Sequence, residues 1–133
     1  MKLLPAAVAL LLLAGCAAAR SANTNTLTPA DDGKVINVTV GQVLVVELPG
    51  NRTTGYGWNQ PAASETVLER VGEPAYVKNP APSGMAGVGG KEIWRFRAAK
   101  AGRQRLRLEY ARPWEKNTPP AKVVTFTVVV SEP

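Results

Sequence analysis

Period-two alternation of apolar and polar residues is the feature that most narrows what this chain can fold into. In residues 122–130, Val124, Phe126, Val128 and Val130 fall on one side. In residues 103–110, Leu106, Leu108 and Tyr110 share a side, with Arg105, Arg107 and Glu109 opposite. Residues 92–98 set Trp94 and Phe96 against Arg95 and Arg97. Successive side chains of a strand point to opposite faces, so such stretches bury their apolar set only as β-strands. Ile36, Val38 and Val40 repeat the pattern more weakly, and residues 43–48 form a nearly continuous apolar run closed by Pro49-Gly50. Residues 67–71 and 75–78 are weaker strands separated by Gly72-Glu73-Pro74. From Lys34 onward no helical face competes with these. With 45% hydrophobic residues in 133, the chain can build one core and one domain. The expectation is all-β: an immunoglobulin-like β-sandwich of about seven strands. The inter-sheet disulfide common in such sandwiches is absent, because the chain has a single Cys.

The chain also has no His, which removes Ser-His-Asp and Cys-His catalysis and any His-type zinc site. Glu47, Glu65, Glu69, Glu73, Glu92, Glu109 and Glu115 supply carboxylates, yet no two are placed as a facing hydrolytic pair. We therefore assign no catalytic residue, no metal ligand and no cofactor. The net charge of +6 would suit an anionic partner only if the cations cluster. Arg95, Arg97, Arg105 and Arg107 are read as a solvated sheet face. An envelope-binding or structural module using that face is the alternative function. Nucleic acid is disfavoured because the aromatic residues are not interleaved with the basic stripe.

The N-terminus reads as an address. Met1-Lys2 is followed by an apolar run over residues 3–14, of secretory length and too short to span a membrane. The run ends in Leu13-Ala14-Gly15-Cys16, which resembles the lipobox of bacterial lipoproteins. That resemblance implies a signal peptide over residues 1–15 and acylation of Cys16. It also implies attachment to a membrane of the bacterial cell envelope, with Ala17 after the Cys suggesting the outer membrane, facing the periplasm. Residues 16–33 are then the lipidated N-terminus and tether, and residues 34–133 the folded domain.

Three stretches between the expected strands carry unusual residues. The first is Asn51-Arg52-Thr53-Thr54-Gly55-Tyr56, followed by Gly57-Trp58. The second gathers Gly84 and Gly87-Val88-Gly89-Gly90 before Trp94. The third contains Arg112-Pro113-Trp114-Glu115. In this order, on an all-β background, the set resembles the chagasin family of cysteine-protease inhibitors. That family's hallmarks are an Asn-Pro-Thr-Thr-Gly-Tyr/Phe loop, a Gly-x-Gly-Gly loop and an Arg-Pro-Trp loop. Arg52 departs from the pattern, standing where the family usually has Pro. The resemblance implies a monomeric, reversible and non-covalent inhibitor of papain-like cysteine proteases. The protease-binding residues it implies are Asn51, Thr53, Thr54, Gly55 and Tyr56 in the first loop. Gly87, Val88, Gly89 and Gly90 belong to the second, and Arg112, Pro113 and Trp114 to the third. Thr53, Thr54 and Gly55 would lie nearest the protease's catalytic cysteine, the second loop on its non-primed side and the third on its primed side.

The residue chemistry supports that division. Thr-Thr-Gly makes a narrow turn from small hydroxyl side chains and a residue free to take φ > 0. Glycines let backbone approach backbone. A Trp in a proline-restricted loop has a large apolar body and little core to cover it, as binding hot spots do. Trp58 and Trp94, on strands, are expected in the core, and Tyr56 could serve either role.

Overall fold

The computed structural model describes residues 24–62, 66–80 and 88–133. Residues 1–23, with Cys16, and the loop glycines Gly84 and Gly87 lie outside the described residues. Nine strands are present among them: β1 (Thr24–Leu27), β2 (Val35–Thr39), β3 (Val43–Gly50), β4 (Gly57–Asn59), β5 (Leu68–Arg70), β6 (Ala75–Lys78), β7 (Gly90–Ala98), β8 (Gly102–Ala111) and β9 (Lys122–Ser131). They form two sheets. One runs β1-β3-β7-β5, with β6 also on β7, and the other runs β2-β9-β8-β4. Two edge pairings, β1 on β3 and β2 on β9, are parallel, and the others are antiparallel.

The sheets face each other across the side chains that the alternation selects. Leu44, Val46 and Leu48 of β3 and Trp94, Phe96 and Ala98 of β7 meet Leu106, Leu108 and Tyr110 of β8 and Val124, Phe126, Val128 and Val130 of β9. Val38, Trp58, Val67 and Leu68 close the edges. This is the expected sandwich, with strands long enough at β7, β8 and β9 to hold the loops they carry.

Three details differ from the sequence reading. The strand count rises from about seven to nine because β1 and the three-residue β4 are too short to show alternation. Residues 24–33 belong to the fold rather than to a tether. β1 pairs with residues 43–46 of β3, Leu27 is buried, and a 3-10 turn at Pro29–Asp31 follows, capped by Thr28. Backbone pairing along an edge needs little apolar sequence, which is why only Leu27 hints at it. The arginines are solvated but do not share a face: Arg95 and Arg97 lie on β7, Arg105 and Arg107 on β8, in different sheets.

The register also gathers the loops. β3 ends at Gly50 opposite the start of β7 at Gly90, and β8 ends at Ala111 opposite the start of β4 at Gly57. All three loops therefore leave the sandwich from one pole. Thr24 pairs with Val43, at the other end of β3.

Candidate functional site

The first loop is a preformed turn. Asn51 caps a 3-10 turn over Arg52–Thr54, and Gly55 ends it in the left-handed region at φ 83°. Asn51 Oδ1 accepts from the Thr53 N–H (3.1 Å) and from Thr53 Oγ1 (2.6 Å). Thr54 Oγ1 donates to the Asn51 carbonyl (2.7 Å) and accepts from the Tyr56 N–H (3.3 Å). Asn, Thr and Thr thus satisfy a turn too tight to bond only through its backbone. Gly55 is required twice: its φ disfavours any side chain, and a Cβ there would collide with the indole of Trp114.

Beneath the turn, β8 and β7 supply the footing. Tyr110 Oη accepts from the Asn51 N–H (3.0 Å), and Glu92 Oε2 accepts from the Trp58 N–H (3.0 Å). Trp58 Nε1 donates to the Pro49 carbonyl (3.0 Å). Glu92 and Gln104 are the buried polar side chains among the described residues. Gln104 Oε1 accepts from the Val67 and Leu68 N–H groups at the opposite pole. The sequence reading counted Glu92 only as a carboxylate and did not single out Gln104. Their signal was present, since each sits in register with an inward-facing apolar set, Glu92 before Trp94 and Gln104 before Leu106.

Arg112 joins the third loop to the first. Its Nε donates to the Thr54 carbonyl (3.1 Å) and its Nη1 to Glu115 Oε1 (3.1 Å). The guanidinium carbon lies 4.3 Å from the centre of the Tyr56 ring and 5.9 Å from that of Trp114. Tyr56 stacks on Tyr110 at 5.2 Å, and Tyr110 leans on Trp58 at 5.1 Å. A continuous stack therefore runs from the core outward through Trp58, Tyr110, Tyr56, Arg112 and Trp114. A planar guanidinium can bond in its plane and stack with its face at once, which the ammonium of Lys cannot. Trp114, at the outer end, is 64% exposed, while Trp58 and Trp94 are buried as expected.

Of the second loop, Val88 and Gly89 are half-buried and Gly90 is buried. Gly89 accepts at its carbonyl from the Asn79 N–H (3.0 Å), and a Cβ on Gly89 would press on the Gly50 carbonyl at 3.3 Å. The space at Gly90 is filled from within: a Cβ there would collide with the Val77 carbonyl and come within 2.9 Å of Tyr76 Cζ. Gly90 therefore lets β6 close on β7. Asn51 is half-buried and caps the first loop's turn. Arg52 turns back on the molecule, its guanidinium carbon 4.5 Å from the centre of the Tyr76 ring. Thr53, Thr54, Pro113 and Trp114 are exposed together at the pole.

Residues 37–130 match the family described as Chagasin family peptidase inhibitor I42. The chain is 29% identical over 104 residues to Amoebiasin-2 of Entamoeba histolytica, an alignment covering 78% of this chain and 83% of that protein. It is 30% identical over 92 residues to Chagasin of Trypanosoma cruzi, covering 68% of this chain and 84% of that one. The crystal structure of a cysteine protease inhibitor from Entamoeba histolytica superposes with a TM-score of 0.72 at 27% identity, over 81% of this chain and 96% of the other.

Proposed function

Because the chain belongs to the chagasin family of peptidase inhibitors, we propose that it inhibits papain-like cysteine proteases reversibly, by seating three loops in the active-site cleft. The observation that carries this reading is the exposed pole where Thr53, Thr54 and Trp114 stand together, braced by Arg112. The first loop is the wedge. A protease cleaves peptide held in an extended conformation, whereas this segment is a 3-10 turn closed by Thr54 N–H to the Asn51 carbonyl and Gly55 N–H to the Arg52 carbonyl. It fills a cleft without offering a scissile bond, and because it is already ordered it loses little entropy on docking. Trp114 covers one flank of the cleft, and Val88 and Gly89 the other. No bond is made or broken.

Titrating papain with residues 17–133 tests the reading. Interfaces of ordinary protease–inhibitor size, roughly 1,600 Å² in total, support nanomolar or tighter binding. Full protease activity should return on dilution, and both proteins should keep their intact masses. A covalent adduct, or no inhibition of several papain-like enzymes at micromolar concentration, contradicts it.

Attachment to a bacterial envelope membrane through Cys16, with the domain in the periplasm, is part of the same proposal. Its support is the lipobox-like Leu13-Ala14-Gly15-Cys16, joined to the course of β1. Thr24 pairs with Val43, and the first loop follows Gly50 at the far end of β3. Eight residues of strand separate those ends by roughly 24 Å. An anchor upstream of Thr24 would thus enter at one pole and leave the other free for a protease. Cys16→Ser should release the protein from membranes with its inhibition intact. An unmodified Cys16 still joined to its leader in mature protein would overturn the anchoring.

A further inference from the structure

Tyr76, on β6, lies outside all three motif loops, yet its side chain touches two of them. Its ring sits against Gly90, where β7 emerges from the second loop. Its hydroxyl donates at 3.5 Å to the carbonyl of Gly50, the last residue before the first loop. Its face receives the Arg52 guanidinium at 4.5 Å, from the first loop's own turn. Two residues beyond Tyr76 the chain leaves β6, and the Asn79 N–H bonds to the Gly89 carbonyl across the base of the second loop.

We propose that Tyr76 is a positioning residue for protease binding, and that its ring, clasped by Arg52, sets the first loop and the base of the second, at Gly89 and Gly90, in fixed relation to one another. The inference rests on the inhibitor reading of this pole. The third loop is tied to the first by Arg112 through its hydrogen bond to the Thr54 carbonyl and its stacking on the Tyr56 ring. Tyr76 and the Gly50–Gly89 approach both link the first loop's turn toward the second. A wedge and its flank that move independently meet a rigid cleft at an entropic disadvantage, so the clasp acts through pre-organisation rather than through contact with the protease. A guanidinium over a ring at the protein surface is worth about 0.5–1 kcal/mol, or roughly two- to fivefold in an equilibrium constant. That is enough to order a surface turn and too little to decide the fold.

The test is a double-mutant cycle on papain inhibition with Arg52→Gln, Tyr76→Leu and the pair, with Tyr76→Phe as the conservative control. Tyr76→Phe keeps the ring and should bind within about twofold of wild type. Arg52→Gln should weaken binding by roughly two- to fivefold in the wild-type background and hardly at all when combined with Tyr76→Leu. Equal losses in both backgrounds would mean that Arg52 touches the protease directly, and the inference would fall. A Tyr76→Leu variant with a lowered melting temperature but undiminished inhibition well below it would make Tyr76 merely structural, with the same consequence. Hydrogen exchange of the free inhibitor supplies a readout that needs no protease. Arg52→Gln, a change in the first loop, should speed exchange of the Asn79 amide at the base of the second. Unchanged exchange there would break the coupling even if wild-type inhibition holds, whereas a failure of wild type to inhibit papain bears on the inhibitor reading alone.

Discussion

Trp94 and Trp114 are the same side chain put to opposite use. Trp94 is 3% exposed, inside the sandwich on β7, its ring nearly parallel to that of Phe96 at 6.2 Å. Trp114 is 64% exposed at the end of a stack that begins in the core. The body around Trp94 is held by burial, which is non-directional. The indole Nε1 of Trp94 has no hydrogen-bond partner among the described residues. The pole around Trp114 has no such reservoir. It is held by single directional contacts: the Asn51 cap, the two Thr hydroxyls, Gly55 and Arg112. Burial therefore sets whether the molecule folds, and a few hydrogen bonds and stacked rings set whether the folded molecule has a usable edge.

Truncating the buried tryptophan has the largest expected effect. Trp94→Ala should destabilise the fold by roughly 3–5 kcal/mol in denaturant unfolding, the range for large core truncations. A loss within the noise would place Trp94 outside the working core. Gly90→Ala comes next. Its Cβ meets backbone at Val77, which cannot rotate away, so β6 must shift from β7. Overpacking of this kind costs about 1–3 kcal/mol, and inhibition should fall with it if Tyr76 positions the loops. Gly55→Ala sharpens the comparison from the other side. The new methyl displaces the free end of the Trp114 ring, and the left-handed backbone costs about 1–2 kcal/mol. Stability should drop modestly while papain binding drops more, because the indole is moved from its seat.

The smallest effect lies far from the pole. The Asp31 carboxyl is held below the usual carboxylate range, chiefly by the Thr28 N–H and further by Lys34. A lowered folded value means stability that is present above the ordinary aspartate range and is lost as pH falls through the folded value. Acid unfolding of wild type should therefore show a shallow extra loss that Asp31→Asn lacks, with papain binding unchanged by the substitution. Identical acid limbs would remove Asp31 from the account.

Much of the body was legible in the alternation, because a single period places Val124, Phe126, Val128 and Val130 on one face without reference to anything distant. β1 was not, since Thr24–Leu27 joins the sheet by backbone pairing with β3 and contributes only Leu27 to the core. Glu92 could have been found: a carboxylate in step with Trp94 and Phe96 must be buried and bonded, and here it takes the Trp58 N–H. At the pole, residue types identified the loops, but not which members face outward. Gly90 and Asn51 also have roles within the fold, and Tyr110 and Tyr76, on strands, support loops far from them in sequence. Nothing local to a loop encodes a partner about fifty-nine residues away, such as Tyr110 for Asn51.

On the proposed function, the loop pole with Trp114 at its tip binds the protease while the body holds it in place. Inhibition constants for papain with wild type and Trp114→Ala, measured beside their melting temperatures, separate the two roles. A loss of about 2 kcal/mol or more in binding, roughly thirtyfold, with an unshifted melting temperature is the predicted result. An unchanged inhibition constant, or a Trp114→Ala variant that loses binding only because it unfolds, would contradict it.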